Sequence, residues 1–212
     1  MITRSKRIKY LFVFISVYAV WGIAYSLIGQ VTSGWNLHNI SVSPDNKIPF
    51  IPSFEYLYFL CYIIPFTPLL VINETSKMNA LIWAFVVMNL AAFLIFLIYP
   101  VVVPRPELQD ENSITYFLIN LQHTQDKPVN NFPSLHAANA LLIYLLCRNY
   151  YKWLDVILIL AATGIGISAL LVKQHYLLDI LSGYLLALLV YFTLNIIEKK
   201  RAISQASTTK PV

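Results

Sequence analysis

Three residues in the C-terminal half of the chain have the types and spacing of a reaction centre. The stretch "LLVKQHYLLDILSG", Leu170–Gly183, carries Lys173, His175 and Asp179, with long apolar runs on either side. Residues four apart share a face of a helix, so Asp179 can accept a hydrogen bond from one ring nitrogen of His175. That bond fixes the tautomer and leaves the second nitrogen free. A histidine held in this way can act as a nucleophile or a general base. The same pair could serve as a polar link between helices, but ionisable groups inside membrane spans are functional by default.

Two further clusters carry complementary chemistry. In "NNFPSLHAANALL", Pro133 is preorganised for a first helical turn, and Ser134 and His136 follow it. The free amides near Ser134 and Leu135 would point out of the helix start, where phosphate binds readily. His136 lies just inside, able to donate a proton. Read alone, this is more simply an N-cap serine followed by a satisfied interfacial histidine. In "VVVPRPEL", Arg105 stands between Pro104 and Pro106. Its guanidinium can clamp two phosphate oxygens at once, or it can snorkel to lipid headgroups.

Together the clusters describe a phosphoryl-transfer site. His175 attacks phosphorus, His136 protonates the departing oxygen, and water or another hydroxyl resolves the phosphohistidine. Arg105, Lys173 and the backbone amides hold the equatorial oxygens, where the charge of the reaction lies. The scheme calls for no cofactor and no metal. His123 and the loop carboxylates are too scattered to suggest a ligand set.

Such residues need a frame, and composition describes it. Of 212 residues, 58% are hydrophobic and 12% charged, and the mean hydropathy is +0.65. These values indicate an integral membrane protein with one domain, residues 1–200, and a disordered polar tail, 201–212. Six spans are expected, an all-α polytopic fold: Tyr10–Val31, Phe54–Ile72, Met78–Tyr99, Ser134–Tyr150, Trp153–Val172 and His175–Ile197. The first is too long for a secretory signal core and is read as retained. Pro65 and Pro68 predict a kink in the second, and Gly164 and Gly166 predict close helix approach in the fifth. Pro100–Pro133 reads as a 34-residue polar loop with Glu107, Asp110, Glu111 and Asp126. Cys61 and Cys147 read as packed thiols. Glu55, near the start of the second span, could face the site or the headgroups, and the headgroups are its expected position.

The net charge of +5 does not point to nucleic acid, because the basic residues flank apolar runs. With both termini in the cytoplasm, eleven Lys/Arg residues fall inside and four outside: Lys47, Arg105, Lys127 and Lys173. All three clusters then share the outer face, periplasmic, extracellular or luminal. A bacterial plasma membrane is the expected home.

These residues resemble the motifs of the type-2 phosphatidic acid phosphatase superfamily, whose core is shared with vanadium haloperoxidases. That pattern runs K-x6-R-P, P-S-G-H and S-R-x5-H-x3-D. Here Arg105-Pro106, Pro133–His136 and Ser168, His175 and Asp179 match in order and spacing. The resemblance covers about Phe93 to Ile197 and implies that the last four helices form a haloperoxidase-like catalytic bundle. It implies His175 as nucleophile, Asp179 as its orienting partner and His136 as acid, with Arg105, Ser134 and the following backbone on phosphate. Three positions depart from the pattern: Ile98 stands for the lysine, Leu135 for the glycine and Ala169 for the arginine. Lys173, and less directly Lys127, are candidate replacements. The "PSLH" and "KQHY" variants look similar to inositol phosphorylceramide synthase-like transferases.

The expected function is a lipid phosphate phosphatase or pyrophosphatase, with a headgroup phosphotransferase as the alternative. A proton-coupled transporter would place its ionisable groups near the midplane rather than at one interface. A catalytically dead lipid-binding relative is the third reading.

Overall fold

Backbone in a bilayer must satisfy its own hydrogen bonds, which favours helices. The structure, a computed structural model describing residues 2–108 and 113–208, has no strand among the described residues, only two isolated bridges. Among the described residues, five helices are long and apolar enough to cross a membrane. The first three are α1 (Arg4–Thr32), α2 (Pro52–Val71) and α3 (Thr75–Ile98). Two shorter helices follow, α4 (Ile114–Gln125) and α5 (Leu135–Cys147). The last two are α6 (Lys152–Leu171) and α7 (Leu177–Thr208).

Two expectations are corrected. The fourth span, expected over Ser134–Tyr150, is the 13-residue α5. At 1.5 Å per residue it covers about 20 Å, short of a bilayer core of about 30 Å. It stops because Asn149 adopts a left-handed conformation, φ 71°, and its amide donates to the Asp155 carboxylate at 2.9 Å. The polar loop Pro100–Pro133 contains α4, whose run "ITYFLINL" supplies apolar side chains through two turns; Asp110 and Glu111 lie outside the described residues. The helix α7 runs to Thr208, since no glycine or proline interrupts it there; 209–212 lie outside the described residues.

The kink in α2 is present as a segmented helix. A 3-10 turn at Ile64–Phe66 separates Leu60–Ile63 from Thr67–Val71, where Pro65 and Pro68 remove amide donors. Gly164 lets the Leu57 side chain close on α6, and Gly166 lets Ile180 and Tyr184 of α7 do the same. Both cysteines are buried thiols.

The helix α5 is the hub. Nine of its 13 residues are buried, and it packs on α6, α7, α3 and the segments of α2. At one end of the bundle Arg7 donates to the Leu69 carbonyl and the Asn73 side chain, and the Tyr10 hydroxyl donates to Asn79 at 2.8 Å. At the other end the connections after α1, α3 and α6 are tied together. His38 N–H donates to the Pro100 carbonyl at 2.9 Å, and Ile51 N–H to the Leu171 carbonyl at 2.8 Å. That second end holds the candidate site.

Candidate active site

The site begins where α6 ends. Lys173 is left-handed, φ 58°, which turns the chain back. Lys173 N–H donates to the Leu170 carbonyl at 3.2 Å and Gln174 N–H to the Ala169 carbonyl at 2.9 Å. This is the paired closure of a Schellman motif, built without its usual glycine. A left-handed residue with a Cβ costs roughly 1–2 kcal/mol. The Lys173 ammonium offsets that cost by donating to the carbonyls of Asp45 and Ile48. His175 follows directly and is 5% exposed.

The next helix is capped from two sides. Tyr176 N–H donates to Asp179 Oδ2 at 2.7 Å, and Leu177 N–H to Asp45 Oδ1 at 2.9 Å. Asp179 is fully buried, and the same Oδ2 lies 3.3 Å from His175 Nδ1. The partnership expected from the four-residue spacing is therefore made. His175 Nε2 points away from Asp179 and lies 3.3 Å from His136 Nδ1.

His136 arrives on the first turn of α5. The Ser134 hydroxyl caps that helix by accepting from Ala137 N–H at 3.4 Å, and Ser134 N–H donates to the Asp179 carbonyl at 2.9 Å. The start of α5 is thus fastened to the carboxylate residue of α7. The amides of Leu135 and His136, at the first two helical positions, have no intrahelical acceptor. Pro133 precedes the cap.

Arg105 joins from the connection after α3. It is partly buried and donates to the carbonyls of His123, at 3.0 Å, and Asp126. Asp126 is buried and accepts from the Tyr25 hydroxyl at 2.6 Å. Burial pushes the Asp126 carboxyl above its ordinary range, opposed by that hydroxyl and by the charges of Arg105 and His175. Arg105 and His175 therefore act on a common neighbour. Lys127 is exposed, its stem lying against Gly29 of α1. Ile98 is 80% exposed on the outside of the bundle, and Ala169 is fully buried.

Two residues of α2 belong here: Tyr58, which sequence reading does not single out, and Glu55, which it places at the headgroups. The Tyr58 hydroxyl lies 3.0 Å from His136 Nδ1 and 3.1 Å from Nε2, and the residue is fully buried. Glu55, one turn earlier, is also fully buried, with neither carboxylate oxygen hydrogen-bonded. Its expected headgroup position is corrected. The segmented, proline-bearing α2 gives no regular stripe from which either placement could be read.

His123 gives a pH prediction. Burial and the Arg105 cation push its imidazole from about 6.5 down to about 4. The unfolded chain takes up a proton near the ordinary value, while the folded form resists until about 4. Stability from His123 is thus full above the unfolded value and is lost as pH falls through that window. The melting temperature of His123→Gln in detergent should fall less than that of the wild type between pH 6.5 and 4. Parallel curves would contradict the assignment. Asp126 has the opposite sign, its contribution falling as pH rises through its raised value, and it cancels in the comparison.

No curated protein and no solved structure matches the chain. A sequence profile described as the PAP2 superfamily matches residues 36–193, which extends the resemblance from Phe93 back through α2. That match covers most of the chain and every element that supplies the two histidines, their carboxylate and Tyr58. The chain belongs to the PAP2 superfamily, whose members are generally phosphatases or phosphotransferases.

Proposed function

We propose that the protein is an integral-membrane phosphatase or pyrophosphatase of lipid phosphates, acting through a phosphohistidine on His175. The observation that carries this reading is the hydrogen-bonded series Asp179–His175–His136, with 3.3 Å between partners at both steps. Asp179 holds the proton on Nδ1 of His175, so Nε2 presents a lone pair. Nε2 attacks phosphorus, the bond to the lipid oxygen breaks, and protonated His136 gives its proton to that oxygen. His136 then removes a proton from water, whose oxygen displaces His175 and releases inorganic phosphate. The free amides of Leu135 and His136, with Arg105 and Ser134, are the phosphate-binding groups in this scheme, and Lys173 buttresses the turn from nearby. The connection after α5 lies away from the site, beside the start of α3, where the Tyr150 hydroxyl donates to Glu74 at 2.7 Å; α5 thus returns the chain despite its length, both termini lie in the cytoplasm, the site opens on the opposite face, and a bacterial plasma membrane is the setting.

One feature favours a second reading, a transferase of phosphorylated headgroups similar to the inositol phosphorylceramide synthase-like variants. Ile98 and Ala169 supply no cation, and Arg105 and Lys173 already donate to backbone carbonyls. A phosphodiester carries less charge than a monoester and needs fewer cations. The test uses detergent-purified protein with phosphatidic acid, a polyprenyl pyrophosphate and a phosphoinositide, each with and without an alcohol acceptor. Phosphate release without acceptor is the expected result. A new phosphodiester formed only with acceptor would replace the hydrolase reading by the transferase.

A further inference from the structure

His136 changes charge during the proposed cycle, and it does so in a buried place. As imidazolium it has two N–H donors to satisfy, and as neutral imidazole one donor and one acceptor. Its Nδ1 faces His175 Nε2 at 3.3 Å. Since Asp179 fixes the His175 proton on Nδ1, the facing Nε2 can only accept. The bond between the histidines therefore requires the proton of His136 on Nδ1. The Tyr58 oxygen stands 3.0 Å from Nδ1 and 3.1 Å from Nε2; with Nδ1 committed to His175, the remaining nitrogen, Nε2, depends on it.

A phenol hydroxyl suits that position in both states. It donates to Nε2 when His136 is neutral and accepts from Nε2–H when His136 is charged. The rings are fixed against each other, with centroids 4.9 Å apart and planes inclined at 51°. Tyr58 is fully buried, so water cannot readily take its place. The neighbouring titratable groups do not do so either, and the carboxylate of Glu55, one turn before Tyr58, hydrogen-bonds to no residue. Tyr62 of α2 approaches His136 only by its ring, at 6.3 Å, and no hydrogen bond joins them. From α7, Asp179 is engaged with His175 and Tyr176. From the connection after α3, the Asp126 carboxylate is engaged with the Tyr25 hydroxyl.

We propose that Tyr58 is a positioning residue for the acid, holding the His136 ring and partnering Nε2 in both protonation states. The inference rests on the phosphatase reading and adds to it a part for α2. When phosphorus takes the place of His136 on His175 Nε2, the freed Nδ1–H of imidazolium faces the leaving oxygen. Tyr58 keeps the ring aimed there. After proton transfer Nε2 keeps its proton and its bond to the Tyr58 oxygen, and Nδ1 has the lone pair that deprotonates water.

The test compares full-length wild type, Tyr58→Phe and Tyr62→Phe on two phosphate monoesters. One has an alkyl leaving group, which needs a proton, and the other a nitrophenyl leaving group, which does not. Removing general acid–base catalysis altogether costs about 10²–10⁴-fold, and losing its support should cost about 10–100-fold. For Tyr58→Phe, kcat on the alkyl ester should fall by that factor with KM little changed, while the nitrophenyl ester loses less than about threefold. Without an acceptor for Nε2–H the imidazolium is destabilised, so the alkaline limb of the pH profile moves to lower pH. Tyr62→Phe should leave the limb in place. Equal losses on both esters, or an unmoved limb, would overturn the inference while leaving the phosphatase reading intact. A wild type inactive on both esters and on lipid phosphates would overturn both. Should Tyr58→Phe fail to fold, histidine 15N spectra of the wild type decide the matter. Neutral His136 with its proton on Nδ1 is expected, and a proton on Nε2 would refute the proposal.

Discussion

His175→Ala should lower phosphate release from lipid phosphates by roughly 10³-fold or more, with the protein still folded. The size of the effect follows from covalent catalysis. Without the imidazole there is no nucleophile to split the reaction into two steps, and only binding and electrostatic stabilisation remain. The variant also leaves Asp179, fully buried, with only the Tyr176 amide as a charge-stabilising partner. Some loss of stability is expected for that reason, and melting must be measured beside activity. His175→Asn, which keeps an amide near the carboxylate, should be equally inactive and more stable than the alanine. A variant that folds and retains more than a tenth of wild-type activity would contradict the nucleophile assignment.

Gly183→Ala should be strongly destabilising, although it lies in a helix. Alanine in a helix interior is ordinarily favoured over glycine by about 1 kcal/mol. Here the added Cβ would fall inside the contact shell of the Ser134 carbonyl oxygen, a backbone atom at the start of α5. That contact cannot be relieved by a rotamer change. Overpacking a closed interface costs about 1–3 kcal/mol and occasionally more, so the clash outweighs the propensity gain. Asp179 and Gly183 are one turn apart on α7, and both meet Ser134. Separating the helices would therefore also break the Ser134 N–H bond to the Asp179 carbonyl and misalign His136 with His175. Melting temperature and activity should both fall, and unchanged values would contradict the packing described. Gly166→Ala should be milder, because the atom it meets most closely is the Tyr184 hydroxyl at the end of a movable side chain.

The parts legible in the sequence are those where one local rule decides. The four-residue spacing of His175 and Asp179 gave their partnership, and the apolar runs gave the long helices. The paired prolines gave the break in α2. The placement of Tyr58 and Glu55 was not legible, because α2 is a chain of short turns rather than one helix with a continuous face. The length of α5 depended on a left-handed Asn149 bonded to Asp155, a contact made across a helix junction. Lys173 was expected on phosphate from its charge, yet its ammonium reaches the carbonyls of Asp45 and Ile48, which are distant in sequence. Asp45, whose carboxylate caps α7, lies in the 3-10 turn Ser43–Lys47, with no local sign of that partnership.

The phosphohistidine is the central claim, and trapping it is the direct measurement. Full-length protein in detergent would be mixed briefly with a 32P-labelled lipid phosphate, quenched in alkali and digested. The label should remain on the peptide containing His175, survive alkali, be lost in mild acid, and be absent from His175→Ala. An active enzyme that carries no label on that peptide under rapid quench, or one labelled at another residue, would contradict the account.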